Sequence, residues 1–134
     1  MDHPKPVIAM VDDEVDYMTL IRNWLEDSFV FYAFKSGEEF LAALPALSPD
    51  IVILDLYLRG VDGIELCRRM RELKKFASVP VLFLTGSERV DDYRRSMCAG
   101  CSTYLTKPVG RSRLLSALTD LLPQPALRDE GEGD

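Results

Sequence analysis

Two short apolar runs end on carboxylates, and this placement gives the sequence its clearest chemical meaning. Ile51–Leu54 is followed by Asp55, and Val7–Val11 is followed by the pair Asp12 and Asp13. Apolar runs of this length that are rich in β-branched residues are typical of strands buried on both faces of a parallel sheet. Such a strand has no solvated face for a charge. Each carboxylate must therefore lie just beyond the carboxyl end of its strand, where open α/β sheets bind ligands.

Two further predicted strands end on polar residues that complement these carboxylates. Residues 81–84 lead to Thr85, and residues 102–105 lead through Thr106 to Lys107. If the strands are neighbours, three carboxylates meet at one edge of the sheet, which is costly unless a cation neutralises them. Carboxylate oxygens are ligands that Mg²⁺ prefers, and Mn²⁺ is a possible substitute.

The chemistry expected of this set is phosphoryl transfer at a metal site. Asp55 would be the nucleophile, as carboxylates are in aspartyl-phosphate chemistry. Lys107 would neutralise phosphoryl charge, and Thr85 would donate a hydrogen bond to the phosphoryl oxygens.

The rest of the chain alternates strand-like and helix-like patterns. The aromatic-rich segment 29–34 predicts the second strand. Helical spacing and helix caps predict five helices. Their apolar positions are Tyr17, Leu20, Ile21, Trp24 and Leu25; Phe40, Leu41 and Leu44, between an N-cap at Ser36 and a stop before Pro45; Leu66, Cys67, Met70 and Leu73, after a cap at Asp62; Val90, Tyr93 and Met97; and Leu114, Leu115, Leu118, Leu121 and Leu122.

Five strands alternating with five helices predict an α/β fold with a doubly wound parallel sheet. The compact version of this fold has the strand order 2-1-3-4-5. That order places the first and third strands side by side, with the fourth and fifth beyond them. The polar residues at the strand ends then converge on one site: Asp12, Asp13, Asp55, Thr85 and Lys107.

Composition limits the domain count and the function classes. The chain has 134 residues, of which 47% are hydrophobic, enough for one globular domain. We assign residues 6–122 to that domain, residues 1–5 to an N-terminal extension, and residues 123–134 to an acidic tail predicted to be disordered. A net charge of −6 without a basic cluster argues against nucleic-acid binding. Because the sequence contains neither a signal peptide nor a run long enough to span a membrane, we expect a soluble, cytoplasmic protein.

Cys98 and Cys101 have the CxxC spacing of redox and zinc sites. A redox pair places its first cysteine at a helix N-terminus, whereas this pair follows a helical stretch that Gly100 is expected to end. A zinc site needs four ligands, and the sequence offers only Cys67 and His3 besides this pair. The cysteines are therefore predicted to pack in the core.

Five short motifs in register carry a family resemblance. In order they are VDDE at 11–14, LDL at 54–56, GVDG at 60–63, LTG at 84–86 and LTKP at 105–108. Their order and spacing resemble bacterial two-component response-regulator receiver domains, the CheY-like family with a flavodoxin-like fold, over about residues 6–122. The resemblance implies a signalling switch, rather than a conventional turnover enzyme, that promotes its own phosphorylation and dephosphorylation.

The resemblance also implies roles for individual residues. Asp55 would accept a phosphoryl group from a histidine kinase or a phosphotransfer protein. Mg²⁺ would be bound by Asp55, by Asp13, by Asp12 partly through water, and by the backbone carbonyl of Tyr57. The Lys107–Pro108 peptide bond, which aims Lys107 at the site, would be cis.

Thr85 and Tyr104 match the switch pair of the same family. When Thr85 moves toward the phosphoryl group, we expect Tyr104 to rotate into the vacated space. The surface formed by residues 88–99, 102–105 and 111–122 would then bind a downstream protein or a second copy of the chain. Because no effector domain follows residue 122, the sequence is interpreted as a stand-alone or excised receiver domain.

Two positions depart from the family pattern. Arg59 stands where many members have proline, so the loop after Asp55 should be less restricted in φ. Tyr57, two residues after Asp55, would lie close to the phosphoryl group. We expect its ring to exclude the attacking water and to slow hydrolysis, so Tyr57→Asn should shorten the lifetime of the phosphorylated form.

Two other function classes share parts of this pattern. A magnesium-dependent phosphatase of the haloacid-dehalogenase type also uses a strand-terminal Asp, but it has a second Asp two residues later, where this chain has Tyr57. An FMN-binding module shares the strand order. It needs a phosphate-cradling loop after the first strand, where the acidic residues 12–14 would repel phosphate.

Overall fold

The predicted alternation of strands and helices is confirmed by the structure, a computed structural model that describes residues 4–122. Its elements are β1 (Val7–Val11), α1 (Val15–Leu25), β2 (Val30–Phe34), α2 (Gly37–Leu47), β3 (Ile51–Leu54), α3 (Gly63–Glu72), β4 (Val81–Thr85), α4 (Val90–Cys98), β5 (Thr103–Thr106) and α5 (Arg111–Leu121), with a short 3-10 helix at Lys74–Phe76. The predicted tail, 123–134, and most of the N-terminal extension lie outside the described residues.

The strands form one parallel sheet in the order β2-β1-β3-β4-β5, as predicted. The last residues of β1 and β3, Val11 and Leu54, lie opposite each other. The ladder continues one residue further, because the Asp55 N–H donates to the Val11 carbonyl at 3.2 Å and the Asp12 N–H donates to the Phe34 carbonyl at 3.1 Å. Backbone hydrogen bonds therefore set Asp12 and Asp55 side by side at the carboxyl edge.

Two apolar cores cover the two faces of the sheet. In β3 the side chains alternate: Ile51 and Ile53 join the core beneath α1 and α5, whereas Val52 and Leu54 join the core beneath α2 and α3. All four residues are fully buried. A sheet with helices on both faces requires strands that are apolar on both sides, which is why these runs show no polar alternation.

Helices α1, α2 and α3 differ in detail from the sequence prediction. Leu20 is exposed, and Met18 takes an inward position instead, because Met18, Ile21 and Leu25 share one face at helical spacing. The predicted stop before Pro45 is wrong, since α2 continues to Leu47 and is followed by left-handed Ser48. Packing of the last turn against the core outweighs the hydrogen bond that proline cannot donate.

Helix α3 begins at the predicted cap and ends before the last predicted apolar position. The Asp62 side chain accepts the Glu65 N–H at 2.8 Å. Leu73 lies beyond the helix and is exposed, because its backbone is extended rather than helical.

Helix α4 has polar residues on its buried side. The predicted apolar positions Val90, Tyr93 and Met97 are all exposed, whereas Asp92 and Ser96 are buried. The Ser96 hydroxyl donates to the Asp92 carbonyl at 2.7 Å, and the Asp92 side chain has several partners of its own. Burial of polar side chains is tolerated here because their hydrogen bonds are satisfied.

The prediction of core cysteines is right for two of the three. Cys67 and Cys101 are buried, with sulfurs 3.2 Å from the Ala99 carbonyl and 2.9 Å from the Thr103 carbonyl, whereas Cys98 is exposed. Cys98 ends α4, and its side chain faces away from the sheet. Within residues 4–122, no helix combines the length and the apolar character needed to cross a membrane.

Candidate functional site

The ammonium group of Lys107 lies at the centre of the carboxylates at the sheet edge. Its Nζ donates to Asp12 Oδ2 at 2.8 Å, to Glu14 Oε1 at 2.7 Å and to Asp55 Oδ2 at 3.0 Å. The Lys107 N–H also donates to the Thr85 carbonyl at 2.7 Å, and the Lys107–Pro108 bond is cis, as the resemblance implied. The lysine side chain is thereby directed from the end of β5 toward β1 and β3.

Local hydrogen bonds hold the two buried carboxylates. Asp12 Oδ1 accepts the Glu14 N–H at 2.9 Å, and Asp55 Oδ1 accepts the Tyr57 N–H at 3.3 Å. Asp12 is fully buried and Asp55 is 8% exposed. The other oxygen of each carboxylate, Oδ2, accepts a hydrogen bond from Lys107.

Gly63 allows the start of α3 to approach Asp55 closely. A Cβ at this position would lie 1.9 Å from the Asp55 carbonyl oxygen, a distance that no side chain can adopt. The Gly63 N–H donates to the Leu56 carbonyl at 2.8 Å, which closes the loop. Gly60 has φ +80°, a backbone conformation that glycine adopts without strain. The GVDG motif is therefore needed for the shape of the loop that follows Asp55.

The electrostatics of the site are those of a partly buried cation among acids. Burial raises the pKa of Asp12, and the hydrogen bond from Lys107 offsets only part of that shift. Burial alone would lower the pKa of Lys107, but the hydrogen bonds to Asp12, Glu14 and Asp55 outweigh it and raise that pKa. The Tyr17 ring, with its centroid 4.6 Å from Nζ, adds a cation–π contact. Lys107 is therefore protonated at neutral pH.

The donor set at the sheet edge fits a hard divalent cation. Oxygens of Asp12, Glu14 and Asp55 lie within 4.8 Å of one another, and Asp13 and Tyr57 line the same depression, which has a volume of about 750 Å³. Carboxylate oxygens of this kind are the ligands that Mg²⁺ prefers.

Glu14 was not singled out from the sequence, although the acidic triplet at 12–14 contained the signal. Of the predicted ligands, Asp12 and Asp55 are brought together, and Asp13 lies beside them with Arg59 Nε at 4.0 Å from its carboxylate. Arg59 is the residue that departs from the family pattern, and its guanidinium stands at the acidic edge.

The predicted switch residues lie on the neighbouring strands β4 and β5, where Tyr104 stands opposite Phe83, two residues before Thr85. Thr85 is fully buried, and its Oγ1 accepts the Ser87 N–H at 3.4 Å. The Tyr104 hydroxyl donates to the Ser87 carbonyl at 3.0 Å, and its ring packs edge-on against Tyr93 with centroids 5.4 Å apart. Tyr104 is half-buried. Its hydroxyl is therefore bonded, in this structure, to the backbone of the loop between β4 and α4.

Tyr57 extends along the wall of the depression toward α4. Its side chain is 57% exposed, and its hydroxyl donates to Asp92 Oδ2. Ser87 Oγ donates to the same oxygen at 2.6 Å. No sequence pattern indicates this contact, because an acidic residue in the first turn of a helix is expected merely to complement the helix dipole.

Comparisons with known proteins agree with this fold. The family profile of the response regulator receiver domain matches residues 8–119. The chain is 34% identical over 118 residues to the phosphate regulon transcriptional regulatory protein PhoB of Rhizobium meliloti (strain 1021), covering 87% of this chain and 52% of that protein. It is 35% identical over 102 residues to the alkaline phosphatase synthesis transcriptional regulatory protein PhoP of Bacillus subtilis (strain 168), covering 75% of this chain and 42% of that protein.

A solved structure supports the fold independently. The chemotaxis protein CheY4 of Vibrio cholerae superposes with a TM-score of 0.84 over 88% of this chain and 99% of that one, at 23% sequence identity. At that identity the likeness concerns the fold alone. The chain spans about half the length of the curated relatives named above.

The chain belongs to the response regulator receiver domain family. Receiver domains are signalling switches of two-component systems, mostly not conventional enzymes, and they interact with histidine kinases or phosphotransfer proteins and with effector domains. They bind Mg²⁺ through an acidic pocket, and the carboxylates around Lys107 form a candidate pocket of that kind. The findings do not support the haloacid-dehalogenase-type phosphatase.

Proposed function

We propose that Asp55 is the phosphoacceptor, and that a histidine kinase or a phosphotransfer protein supplies the phosphoryl group. The observation that carries the proposal is the 3.0 Å contact between Lys107 Nζ and Asp55 Oδ2, next to the buried carboxylate of Asp12. The Lys107 ammonium lies against one oxygen of the nearly buried Asp55 carboxylate. Its positive charge would stabilise the additional negative charge of a phosphoryl group at this position. The other Asp55 oxygen is held by the Tyr57 N–H.

Transfer would proceed by attack of an Asp55 oxygen on the donor phosphorus. The new oxygen–phosphorus bond forms while the nitrogen–phosphorus bond of a phosphohistidine breaks, and its electron pair returns to the imidazole. Bound Mg²⁺ would supply charge neutralisation and would orient the phosphoryl oxygens. Lys107 would pair with a phosphoryl oxygen. Thr85, which lines the same depression, would donate a hydrogen bond to another.

We further propose that Asp12, Asp13, Asp55 and the backbone carbonyl of Tyr57 hold Mg²⁺, or Mn²⁺ in its place. Asp12, which is fully buried behind Lys107, would act partly through water. We also propose a cytoplasmic location, which is typical of response regulators, and that the domain promotes its own phosphorylation and dephosphorylation.

The proposed output is a change in the surface formed by residues 88–99, 102–105 and 111–122. In the unphosphorylated protein, the Tyr104 hydroxyl already donates a hydrogen bond to the Ser87 carbonyl. Phosphorylation would therefore raise the population of the arrangement in which Tyr104 makes this contact, rather than create a new arrangement. A downstream protein or a second copy of the chain would bind this surface.

Intact-mass analysis with a small phosphodonor such as acetyl phosphate tests the phosphoacceptor directly. We expect the gain of one phosphoryl group in the presence of Mg²⁺ and none with excess chelator, because an unscreened phosphoryl dianion would face Asp12 and Asp13. Asp55→Asn should abolish the modification, whereas Asp91→Asn, on the exposed side of α4, should leave it unchanged. Labelling of the Asp55 variant at normal stoichiometry would refute the assignment.

A further inference from the structure

Asp92 is a nearly buried carboxylate on helix α4, whose large apolar side chains are exposed. It is 3% exposed, and its Oδ2 accepts hydrogen bonds from both the Tyr57 hydroxyl and Ser87 Oγ. Its Oδ1 lies 3.4 Å from Arg95 Nη1. Hydrogen bonds from Ser87 and Tyr57 lower the pKa of Asp92, so the group that receives them is ionised at neutral pH.

The contact with Tyr57 joins two sides of the depression that contains Asp55. Tyr57 follows β3, and its own N–H donates to Asp55 Oδ1 at 3.3 Å. Asp92 belongs to α4, which follows the β4 loop, and residues of that loop line the opposite wall. A side chain fixed at its backbone by Asp55 and at its hydroxyl by Asp92 therefore has its ring held between the two walls.

Asp92 is the charged partner of this ring. The Tyr57 side chain is more than half exposed, and besides the Asp92 carboxylate its hydroxyl has the neutral Ser87 hydroxyl as a hydrogen-bond partner. A hydrogen bond to a charged acceptor is stronger than one between neutral groups. The orientation of the ring thus depends on a residue 35 positions away in the sequence.

We propose that Asp92 is a positioning residue that holds the Tyr57 ring beside Asp55 and thereby restricts the access of water to the phosphorylated Asp55. This role rests on the proposed phosphorylation of Asp55. In the step that is restricted, a water oxygen attacks phosphorus and the bond between phosphorus and the Asp55 oxygen breaks. The products are inorganic phosphate and the free carboxylate, with the water protons passing to phosphate and solvent.

The first test measures phosphate release from the phosphorylated protein in Mg²⁺. We expect Asp92→Ala and Tyr57→Phe each to accelerate hydrolysis by about three- to tenfold, the change in rate that corresponds to the net free energy of one typical intramolecular hydrogen bond. Because both changes break the same contact, the double variant should hydrolyse no faster than either single one. A wild-type rate in Asp92→Ala, or effects that multiply in the double variant, would overturn the proposal.

Asp91→Ala is the matched control. Asp91 is the neighbouring acid in the same turn of α4, it is exposed, and it pairs with Arg94 at 3.7 Å rather than with Tyr57. We expect a wild-type rate of hydrolysis for this variant. Equal acceleration in Asp91→Ala and Asp92→Ala would mean that the helix charge, and not the Tyr57 contact, sets the rate, which overturns the proposal.

The second test needs no phosphorylation. Tyrosine-selective ¹³C NMR of the unphosphorylated protein, with Tyr57 assigned from Tyr57→Phe, should show its ring signal shifted and narrowed in Asp92→Ala and unchanged in Asp91→Ala. A Tyr57 signal that stays the same in Asp92→Ala overturns the positioning role. If Asp92→Ala fails to fold, Tyr57→Phe still tests the contact, because it leaves the Ser87–Asp92 hydrogen bond in place.

The two tests separate this inference from the proposed function. If the wild type accepts no phosphoryl group on Asp55, the proposed function fails and the shielding of a phosphoryl group fails with it. The NMR comparison then still supports or overturns the positioning of Tyr57 by Asp92. If the wild type is phosphorylated and the ring signal responds to Asp92→Ala while hydrolysis does not, only the shielding is overturned.

Discussion

At the scale of single residues, Lys107 holds the acidic groups of the site together. Nζ contacts three carboxylates, two of which are buried, and the ring of Tyr17 lies beneath it. Buried charges are tolerated only when they are paired. In the proposed function the same lysine would also pair with a phosphoryl group, so its stabilising role and its proposed functional role concern the same atoms.

Lys107→Ala should destabilise the protein in chelator by about 3 kcal/mol or more, because it leaves the buried Asp12 carboxylate unpaired next to Asp55. Mg²⁺ should restore much of the loss, since it supplies the missing positive charge. Urea denaturation with and without Mg²⁺ measures both effects. Lys35→Ala, in the loop before α2, is the control expected to change neither. Destabilisation that Mg²⁺ does not reduce would show that lost packing, rather than charge, is the cause.

At the scale of elements, each site residue is placed by the end of a strand together with the start of the following helix. The clearest example is α3, which begins at Gly63 in contact with the Asp55 backbone and is capped by Asp62. The helix cannot begin at this point if Gly63 carries a side chain. The shape of the acidic edge therefore depends on a helix that contributes no functional group to it.

Gly63→Ala should lower stability by about 1–3 kcal/mol or more, because the new Cβ would have to push away the Asp55 carbonyl. Phosphorylation of Asp55 should slow at the same time, since the carboxylate moves with its backbone. Gly110→Ala, where a Cβ meets no atom within 4 Å, is the control, expected to cost about 1 kcal/mol or less. Thermal unfolding measures the loss of stability, and intact-mass analysis measures the rate of phosphorylation. Equal losses in both variants would contradict the explanation.

The end of α4 separates the two cysteines of the CxxC sequence. Iodoacetamide at pH 8 should modify the exposed Cys98 rapidly and Cys101 slowly, because burial raises the pKa of the Cys101 thiol to about 11 and leaves little thiolate. Cys67, which is also buried, has a raised pKa for the same reason.

A mass-spectrometric time course should therefore show one fast addition, and Cys98→Ser should remove it. In urea all three thiols should react. Fast modification of Cys101 in the folded protein would mean that the end of α4 opens readily.

At the scale of the whole molecule, one continuous set of contacts joins the acidic edge to the proposed output surface. The Ser87 carbonyl accepts the Tyr104 hydroxyl, the Ser87 side chain donates to Asp92, and the Ser87 N–H donates to Thr85 Oγ1. Phosphorylation adds a charge of about −1.5 to −2 at Asp55. A displacement of Thr85 would thus move Ser87 and, through the contacts of Ser87, also Tyr104 and α4.

Thr85→Ala should still accept a phosphoryl group but lose most of the response at Tyr104, because the hydroxyl that joins the phosphoryl group to β4 is gone. NMR spectra with and without phosphorylation measure this response at residues 88–99, 102–105 and 111–122. The free energy available to the switch is about 1–3 kcal/mol, so the change is one of populations. If phosphorylation of the wild type leaves this face unchanged, the output surface lies elsewhere.

The sequence by itself determined the fold and most of the acidic edge. Buried strands are continuous apolar runs, and a charge can only follow such a run, so Asp12, Asp55, Thr85 and Lys107 could be placed from local pattern and strand order alone. The backbone register of the strands then brings the ends of β1, β3, β4 and β5 to one edge of the sheet.

Only the tertiary structure decided which side chains turn inward where local pattern is weak. Leu20 and Met18 lie two residues apart on α1, and packing against the sheet buries Met18 and leaves Leu20 exposed. On α4 the hydrogen-bond partners of Asp92 lie in two other loops, one of them 35 residues away, so its burial cannot be inferred from helical spacing. Glu14 joins the site for the same reason, because its partner Lys107 is 93 residues distant. Polar burial depends on partners that are remote in the chain. Apolar burial follows the period of the strands, but on α1 and α4 the packing against the sheet decides which face of the helix is buried.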